Sequence, residues 1–214
     1  MKQCKICNNE VSTFKDVKKD LIYYRCLSCG FVSLDDKFMV NQTEEKKKYD
    51  QHNNSLENEG YVQMFEAFID EAIAPYKQNI HKALDFGSGP EPVLSKLLEF
   101  RGFEVDIYDL YYAPKKVYES KKYDLITSTE VFEHLSKPLD VLTLLVKHLN
   151  PQAYMALMTK FPPKEDEEFL AWWYRRDPTH ISFFTPQSFE VMADKVGLSV
   201  VKIINDNIIV FQKN

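Results

Sequence analysis

The sequence has few features of a membrane, secreted or nucleic-acid-binding protein. Its 214 residues contain no long apolar run, and the first residues lack the apolar core of a signal peptide. We therefore expect no helix that spans a bilayer, and we expect a cytoplasmic protein. Basic residues are not in excess, since 27 Lys and Arg face 32 Asp and Glu and the net charge is -5. This charge gives no general reason to bind nucleic acid or an anionic membrane.

Cysteine is absent after residue 29, and the four cysteines form two Cys-x-x-Cys pairs, Cys4 with Cys7 and Cys26 with Cys29. In a cytoplasmic protein such cysteines are more often metal ligands than disulfide partners. A two-residue spacing lets both thiolates reach one tetrahedral ion, and the eighteen residues between the pairs are typical of paired zinc knuckles. Four thiolates leave no open coordination position, so we predict a structural zinc. Docking of a substrate or partner is the alternative role.

Glycine is also scarce, with six in the chain, yet two of them flank a serine in Gly87-Ser88-Gly89. This turn follows an apolar run that ends at Asp85. Glycine lets the backbone approach a ligand closely, and the helix expected after the turn offers free N–H groups. Because Asp85 would repel a pyrophosphate, the turn suits a nucleotide-like ligand that carries positive charge.

From Lys82 onward, strand patterns alternate with helix patterns, which indicates a parallel α/β sheet. Strands are expected at 83–86, 104–108, 124–128, 153–159, 198–204 and 208–211, and helices at 90–100 or 92–100, 138–149 and 186–196. The last two strands form a hairpin, so the final strand should be antiparallel. We divide the chain into a zinc-ribbon module at 1–40, a linker and lid helix at 41–78, and the α/β domain at 79–214. Within the second segment, the mixed charge run at 44–48 is either a solvated linker or an exposed helix face.

Asp109 ends the second of these strands, where an acidic side chain can accept hydrogen bonds from a ribose diol. Only fourteen residues separate Asp109 from Asp124. That segment is too short for both a helix and a further strand of normal length. The sequence therefore predicts that the third strand of the sheet is vestigial, and the adenine contacts cannot be assigned.

These motifs together resemble class I S-adenosylmethionine-dependent methyltransferases. The resemblance is carried by the segments 84–89 (LDFGSG), 105–109 (VDIYD), 123–135 (YDLITSTEVFEHL) and 180–186 (HISFFTP). With the cysteine module, the chain is similar to the branch that carries an N-terminal zinc ribbon and to ubiquinone-pathway-type enzymes. The resemblance implies a Rossmann-like α/β fold, with S-adenosylmethionine bound by Asp85, Gly87, Ser88, Gly89, Asp109, Leu110, Glu130 and Val131. Asp85 would lie near the ammonium group, Asp109 would bind the ribose, and Glu130 and Val131 would form the floor.

Glu130, Glu133 and His134 stand at i, i+3 and i+4, a spacing that brings side chains together on one side of a helical turn. His180 follows the next strand, at the same edge of the sheet. A similar Glu-x-x-Glu-His segment is a metal site in ubiquinone-pathway O-methyltransferases, so Mg²⁺ or Mn²⁺ here is one hypothesis. Without a metal, Glu133, His134 or His180 could serve as the general base, or the segment could simply support the cofactor.

Both tryptophans, Trp172 and Trp173, lie in the segment 161–184, together with Arg175. Loops at this edge of the sheet build ligand sites, so the aromatic residues could stack on a flat acceptor and Arg175 could bind an anionic group. Packing of the aromatic residues on the sheet is an equally good interpretation.

Methyl transfer from S-adenosylmethionine to a small-molecule acceptor is therefore the favoured function, with O-methylation slightly preferred. An NAD-dependent oxidoreductase is an alternative, although the turn lacks the third glycine of the dinucleotide fingerprint. A non-catalytic assembly module is the third possibility. No Asn-Pro-Pro-Tyr-like segment follows the strand at 124–128, which disfavours methylation of an amide or an adenine amine.

Overall fold

The computed structural model describes residues 2–51 and 55–214. Part of the predicted linker, His52 to Asn54, lies outside the described residues. The strands are β1 Val11–Asp16, β2 Leu21–Cys26, β3 Val32–Leu34, β4 Lys82–Phe86, β5 Glu104–Tyr108, β6 Tyr123–Thr129, β7 Leu149–Met158, β8 Ser182–Phe183, β9 Leu198–Ile204 and β10 Ile208–Lys213. The α-helices are α1 Gln42–Tyr49, α2 Glu59–Phe68, α3 Val93–Phe100, α4 Pro138–Lys147, α5 Asp166–Ala171 and α6 Pro186–Val196.

The larger sheet has six strands in the order β5-β4-β6-β7-β10-β9. The pairs β4–β5, β4–β6 and β6–β7 are parallel, whereas β10 is antiparallel to both of its neighbours. The expected mostly parallel sheet with an antiparallel last strand is thereby confirmed. Parallel strands direct their carboxyl ends to one edge, so β4, β5 and β6 deliver the predicted site residues to the same side.

The short segment after Asp109 contains no helix or strand of the sheet, as its length predicts, and β5 forms the sheet edge. A single isolated bridge between Asp109 and Ala113 closes a tight turn there. Strand β7 is longer than predicted because it begins at Leu149, immediately after the C-cap of α4 at His148.

The smaller sheet has the order β1-β2-β3-β8 and contains most of the cysteine module. Its fourth strand comes from far along the chain, since β8 pairs with β3. Cys4, Cys26 and Cys29 pack in one apolar cluster with side chains of the larger sheet, such as Met155 and Phe211. The cysteine module is therefore built into the rest of the protein. The three-segment division of the chain stays a prediction.

Two helices differ from the sequence expectations. Helix α1 lies within the segment predicted to be a linker, and its Asn41 N-cap accepts bonds from the backbone N–H groups of Thr43 and Glu44. The predicted lid helix begins at Glu59 and changes after Phe68 into a π turn and then a 3-10 turn, which ends at Asn79. Over the described ranges, every helix is too short or too polar to cross a membrane.

Candidate active site

Asp85 is the penultimate residue of β4, and it is buried, with 2% of its surface exposed. Its oxygens accept hydrogen bonds from the hydroxyls of Ser95, at 2.8 Å, and Thr127, at 3.1 Å. Burial raises the pKa of Asp85 to about 6, although the two hydroxyls act in the opposite direction. The described ion pairs give this carboxyl no cationic partner, so a positive group brought near it would favour its ionised form.

The glycine turn follows directly, and Gly87 and Gly89 have φ of 91° and 71°. A methyl group on Gly87 would run into the side chain of Val131, whereas one on Gly89 would meet no atom within 4 Å. The first glycine is thus required by close packing between β4 and β6, and the second borders open space. Between them, the buried hydroxyl of Ser88 has no hydrogen-bond partner among the described residues.

Asp109 holds the glycine turn from the neighbouring strand. Its Oδ2 accepts from the backbone N–H of Gly89 at 3.0 Å, and its Oδ1 accepts from those of Tyr111 and Tyr112 at 2.8 and 3.0 Å. Leu110 between them is 55% exposed. The carboxylate therefore fixes two loops at the sheet edge, a role that the sequence analysis did not foresee. Its expected role in ribose binding stays a prediction.

Glu130 follows β6 in a left-handed conformation, with φ of 54°. Its N–H donates to Met158 O at 2.8 Å, which anchors the residue to β7. Its side chain is solvent-accessible, yet the surrounding protein and the neighbouring Glu133 raise its pKa. Val131, next in the chain, packs against Gly87. We call the region between the glycine turn, Asp109, Glu130 and His134 the cleft.

Glu133 is fully buried, and burial raises its pKa. The hydroxyl of Tyr174 lies 2.5 Å from Glu133 Oε1 and 3.0 Å from Glu130 Oε2. Because a hydroxyl has one proton, Tyr174 can donate to only one of them, and a protonated carboxyl must supply the other bond. Glu133 Oε2 has no partner among the described residues. Tyr174 was missed as a site residue, because an aromatic residue between two tryptophans and two arginines gave no specific signal.

The two histidines lie together, with ring centroids 4.8 Å apart. His134 Nδ1 is 3.0 Å from Thr179 O and His180 Nδ1 is 2.7 Å from Tyr174 O, so each Nδ1 carries the proton in the tautomer that satisfies these carbonyls. Burial lowers the pKa of His134 and favours its neutral form. The turn at Phe132–His134 is a single 3-10 turn, and Glu130 lies before it.

The ligand atoms of Glu133, His134 and His180 all lie within 4.8 Å of one another, a distance that a metal ion could span. Glu130 does not belong to this group of ligand atoms. The four residues that the sequence groups together are thus neighbours, but only three of them converge.

Helix α1 covers this part of the cleft. The ring of Tyr49 contacts that of His134 edge to face, with centroids 5.1 Å apart. The hydroxyls of Tyr49 and Tyr111 donate to the two oxygens of Glu45, at 2.8 and 2.5 Å. One glutamate on α1 therefore connects the loop after Asp109 to the histidine side of the cleft, a connection that spacing along the sequence could not reveal.

Arg175 does not face the cleft, which corrects its predicted role in anion binding. Its side chain is buried, and its guanidinium lies 2.8 Å from the Asp16 carboxylate. It also donates to the carbonyls of Phe169 and Leu170 at the end of α5. A guanidinium held by a carboxylate and two carbonyls is not available to an anionic acceptor. Trp172 packs on Phe169 and Tyr174, whereas Trp173 is 61% exposed.

The four cysteines form a second cluster, with their sulfur atoms all within 4.8 Å of one another. The distances are 3.7 Å for Cys4–Cys29 and 3.3 Å for Cys7–Cys26. Tetrahedral zinc with Zn–S bonds of about 2.3 Å requires sulfurs roughly 3.8 Å apart. Backbone N–H groups point at the sulfurs of Cys4 and Cys26, as expected for thiolates. The cluster is compatible with the predicted zinc.

Comparison with known proteins assigns the fold. A family model described as a methyltransferase domain matches residues 51–203, more than half of the chain. None of the curated proteins matches the sequence significantly. Among solved structures, the mitomycin 7-O-methyltransferase MmcR is 11% identical with a TM-score of 0.60, over 81% of this chain and 59% of that one.

Two other solved structures have similar scores. The magnesium protoporphyrin IX methyltransferase of Synechocystis PCC 6803, with bound S-adenosylmethionine, is 12% identical with a TM-score of 0.53, over 84% of this chain and 94% of that one. The N-methyltransferase NodS of Bradyrhizobium japonicum WM9, with S-adenosylhomocysteine, is 11% identical with a TM-score of 0.54, over 81% and 99%. This chain spans only 59% of the mitomycin enzyme, and such identities establish the fold alone. The chain therefore belongs to the methyltransferase family and has the class I fold of the S-adenosylmethionine-dependent enzymes, which confirms the resemblance found in its sequence.

Proposed function

We propose that the protein transfers a methyl group from S-adenosylmethionine to a small-molecule acceptor. The observation that carries the proposal is the family match over residues 51–203, because the glycine turn, Asp109, Glu130 and the histidine pair all lie inside it. Bound S-adenosylmethionine supplies an activated methyl group on a sulfonium. The protein's own task is then to orient the two reactants and to exclude water.

The residues at the carboxyl edge of the sheet fit this cofactor. The unpartnered hydroxyl of Ser88 and the open space beside Gly89 leave room for the methionine part. The Asp85 carboxyl, without a cation of its own, suits the ammonium group. Asp109 already accepts three N–H bonds, and since a carboxylate offers about four acceptor positions, it keeps capacity for a ribose hydroxyl. Leu110, Glu130 and Val131 complete the proposed cofactor site.

The acceptor is proposed to bind beside the histidine pair. A neutral His134 presents Nε2 as an acceptor for the proton of a substrate hydroxyl, and its lowered pKa keeps it neutral near pH 7. His180 and the buried Glu133 lie next to it. This arrangement favours, but does not require, an oxygen acceptor. Because Arg175 is engaged by Asp16, its guanidinium is not a partner for an anionic substrate.

A second form of the proposal places Mg²⁺ or Mn²⁺ on Glu133, His134 and His180, whose spacing is its only support. The decisive comparison is methyl transfer after complete chelation and again with either metal added. Turnover that is unchanged by chelation removes the metal and leaves the general base. The comparison becomes possible once an acceptor has been identified.

The acceptor can be sought with S-adenosylmethionine labelled in its methyl group and fractionated metabolites. We expect the label to appear in a small molecule with the wild-type protein and to disappear with Gly87→Ala. Label in nucleic acid or protein fractions would contradict the proposed acceptor class. Binding of NAD in place of S-adenosylmethionine would favour the oxidoreductase, and cofactor binding with no transfer to any fraction would favour an assembly module.

A further inference from the structure

The zinc ribbon is connected to Glu133 through the protein backbone. Strand β8 pairs with β3 of the ribbon, opposing Val32 to Phe183. Immediately before β8, Ile181 accepts a bond from Leu34 N–H at 2.9 Å and donates its own N–H to Glu133 O at 2.8 Å. A single residue, Ile181, therefore links the ribbon to a fully buried carboxyl residue of the candidate active site.

A second connection passes through side chains. Asp16, at the end of β1 in the ribbon, accepts a hydrogen bond from Arg175 at 2.8 Å, and their side chains are only 8% and 5% exposed. Arg175 also lies 3.4 Å from the hydroxyl of Tyr23 in β2. The residue before Arg175 is Tyr174, whose hydroxyl lies 2.5 Å from Glu133 and 3.0 Å from Glu130.

The buried ion pair between Asp16 and Arg175 joins the ribbon to the segment after α5, but burying both charges costs desolvation free energy. Desolvation offsets most of its Coulomb energy, so such pairs are better suited to fixing a register than to adding stability. Loss of either partner leaves the other charge buried and unpaired, which drives that side chain toward water. If Arg175 moves, the backbone of Tyr174 moves with it, because the two residues are adjacent.

We propose that the zinc ribbon positions the carboxyl groups of Glu130 and Glu133, and that Asp16 is a positioning residue that acts through Arg175 on Tyr174. The inference rests on the proposed function only for the role of Glu130 and Glu133. The coupling itself concerns the folded protein without cofactor or acceptor. Through this coupling the cysteine module helps to position active-site residues, although the four cysteines have no proposed role in methyl transfer.

The test uses the zinc-loaded protein and follows the proton shared by Tyr174 and Glu133. A buried proton in the 2.5 Å bond between the Tyr174 hydroxyl and the Glu133 carboxyl group gives a downfield, slowly exchanging resonance, which Tyr174→Phe identifies by removing it. Asp16→Asn keeps the size of the side chain and removes its charge. Asp20→Asn is the matched control, because Asp20 lies on the same hairpin and forms an exposed ion pair with Lys15.

We expect Asp16→Asn to lose or shift this resonance and to speed amide exchange at 174–184 by about tenfold or more. Zinc content and amide exchange in β4 and β6 should match those of Asp20→Asn. A wild-type resonance and wild-type exchange in Asp16→Asn would overturn the proposal. If Asp16→Asn does not fold, Arg175→Lys, which keeps the charge but not the planar fork, is measured in the same way, with the same two outcomes. Failure of the proposed function would appear separately, as absence of S-adenosylmethionine binding to the wild-type protein.

Discussion

Among the glycines, Gly87 is the one at which an added methyl group would come closest to a neighbouring side chain. Its φ of 91° is unfavourable for other residues, and a Cβ would collide with the stiff, β-branched side chain of Val131. For Gly87→Ala we expect a loss of about 1–2 kcal/mol from the backbone alone. The collision should also weaken S-adenosylmethionine binding by about tenfold or more, equivalent to roughly 1.4 kcal/mol. Chemical denaturation and calorimetry measure the two effects.

Gly102→Ala provides the control for this substitution. Gly102 has nearly the same φ, 93°, but a Cβ there meets no atom within 4 Å, and the residue precedes β5, at the opposite end of that strand from Asp109. It should lose similar stability and keep its cofactor affinity. Equal affinities for the two variants would show that the glycine turn does not shape the cofactor site.

The buried carboxyl of Asp85 should make stability depend on pH in a defined direction. Its folded pKa of about 6 lies above the usual value of 3.8, so the folded state holds a proton that the unfolded chain releases. The stability contributed by protonated Asp85 is therefore present below about pH 4 and is lost as pH rises to about 6. The loss amounts to roughly 3 kcal/mol for a shift of about two units.

The measurement is the free energy of unfolding of the wild type relative to Asp85→Asn between pH 4 and 7. Any loss of zinc at low pH should affect both proteins alike, so the difference isolates Asp85. Asp106→Asn is a useful comparison, because Lys121 and Tyr123 help hold the pKa of Asp106 below its usual value despite partial burial, so its pH dependence should have the opposite sign. Parallel pH profiles for the wild type and Asp85→Asn would contradict the account.

Helix α1 is a polar helix that supports the candidate active site through side-chain hydrogen bonds. None of its residues is buried, and it is held in place by polar side chains. Glu45→Ala removes the acceptor of two tyrosine hydroxyls, so we expect faster amide exchange throughout α1. We also expect S-adenosylmethionine affinity to fall by about 3- to 10-fold, since the loop after Asp109 loses an anchor worth about 1 kcal/mol.

Lys47→Ala tests whether this effect is specific. Lys47 is exposed on the same helix and has the same helical environment, so its removal should change neither exchange nor affinity. If Glu45→Ala also leaves both unchanged, α1 does not support the cofactor side of the cleft.

The sequence predicted the elements with strong apolar periodicity, namely β4 to β6, α4, α6 and the closing hairpin. At α1 it left a solvated linker and an exposed helix face as alternatives, because the hydrophobic pattern is absent there. The signals were of another kind, an N-cap at Asn41, acidic residues in the first turn and lysines in the last turn, which complement the helix dipole. An N-cap followed by acidic and then basic residues indicates that the mixed charge run at 44–48 is helical.

The candidate site was predicted only in part, for a related physical reason. Asp85 lies at the end of a strand, and Gly87 and Asp109 follow strands directly, so topology alone brings them to one edge. Tyr174 and Arg175 take their roles from contacts with residues more than forty positions away, and such pairings leave no local pattern. Of the two interpretations of segment 161–184, anion binding by Arg175 does not hold, because its partner, Asp16, comes from β1 of the smaller sheet.

Zinc should support the whole molecule and not only the ribbon. Cys4, Cys26 and Cys29 share an apolar cluster with the larger sheet, so loss of the metal exposes surface that both parts bury. We expect about one zinc ion per purified chain. In Cys26→Ser we expect little or no zinc and a melting temperature lower by several degrees, as measured by calorimetry. Zinc content near zero in the wild type, or an unchanged melting temperature in the variant, would contradict this.

The central claim is that the cleft at the carboxyl ends of β4, β5 and β6 binds a sulfonium cofactor and not a dinucleotide. Calorimetric titration of the zinc-loaded protein with S-adenosylmethionine, S-adenosylhomocysteine and NAD tests it most directly. The account predicts that the first two bind with similar affinity at a single site and that NAD does not bind. Binding of NAD alone, or of none of the three to protein with full zinc content, would contradict it.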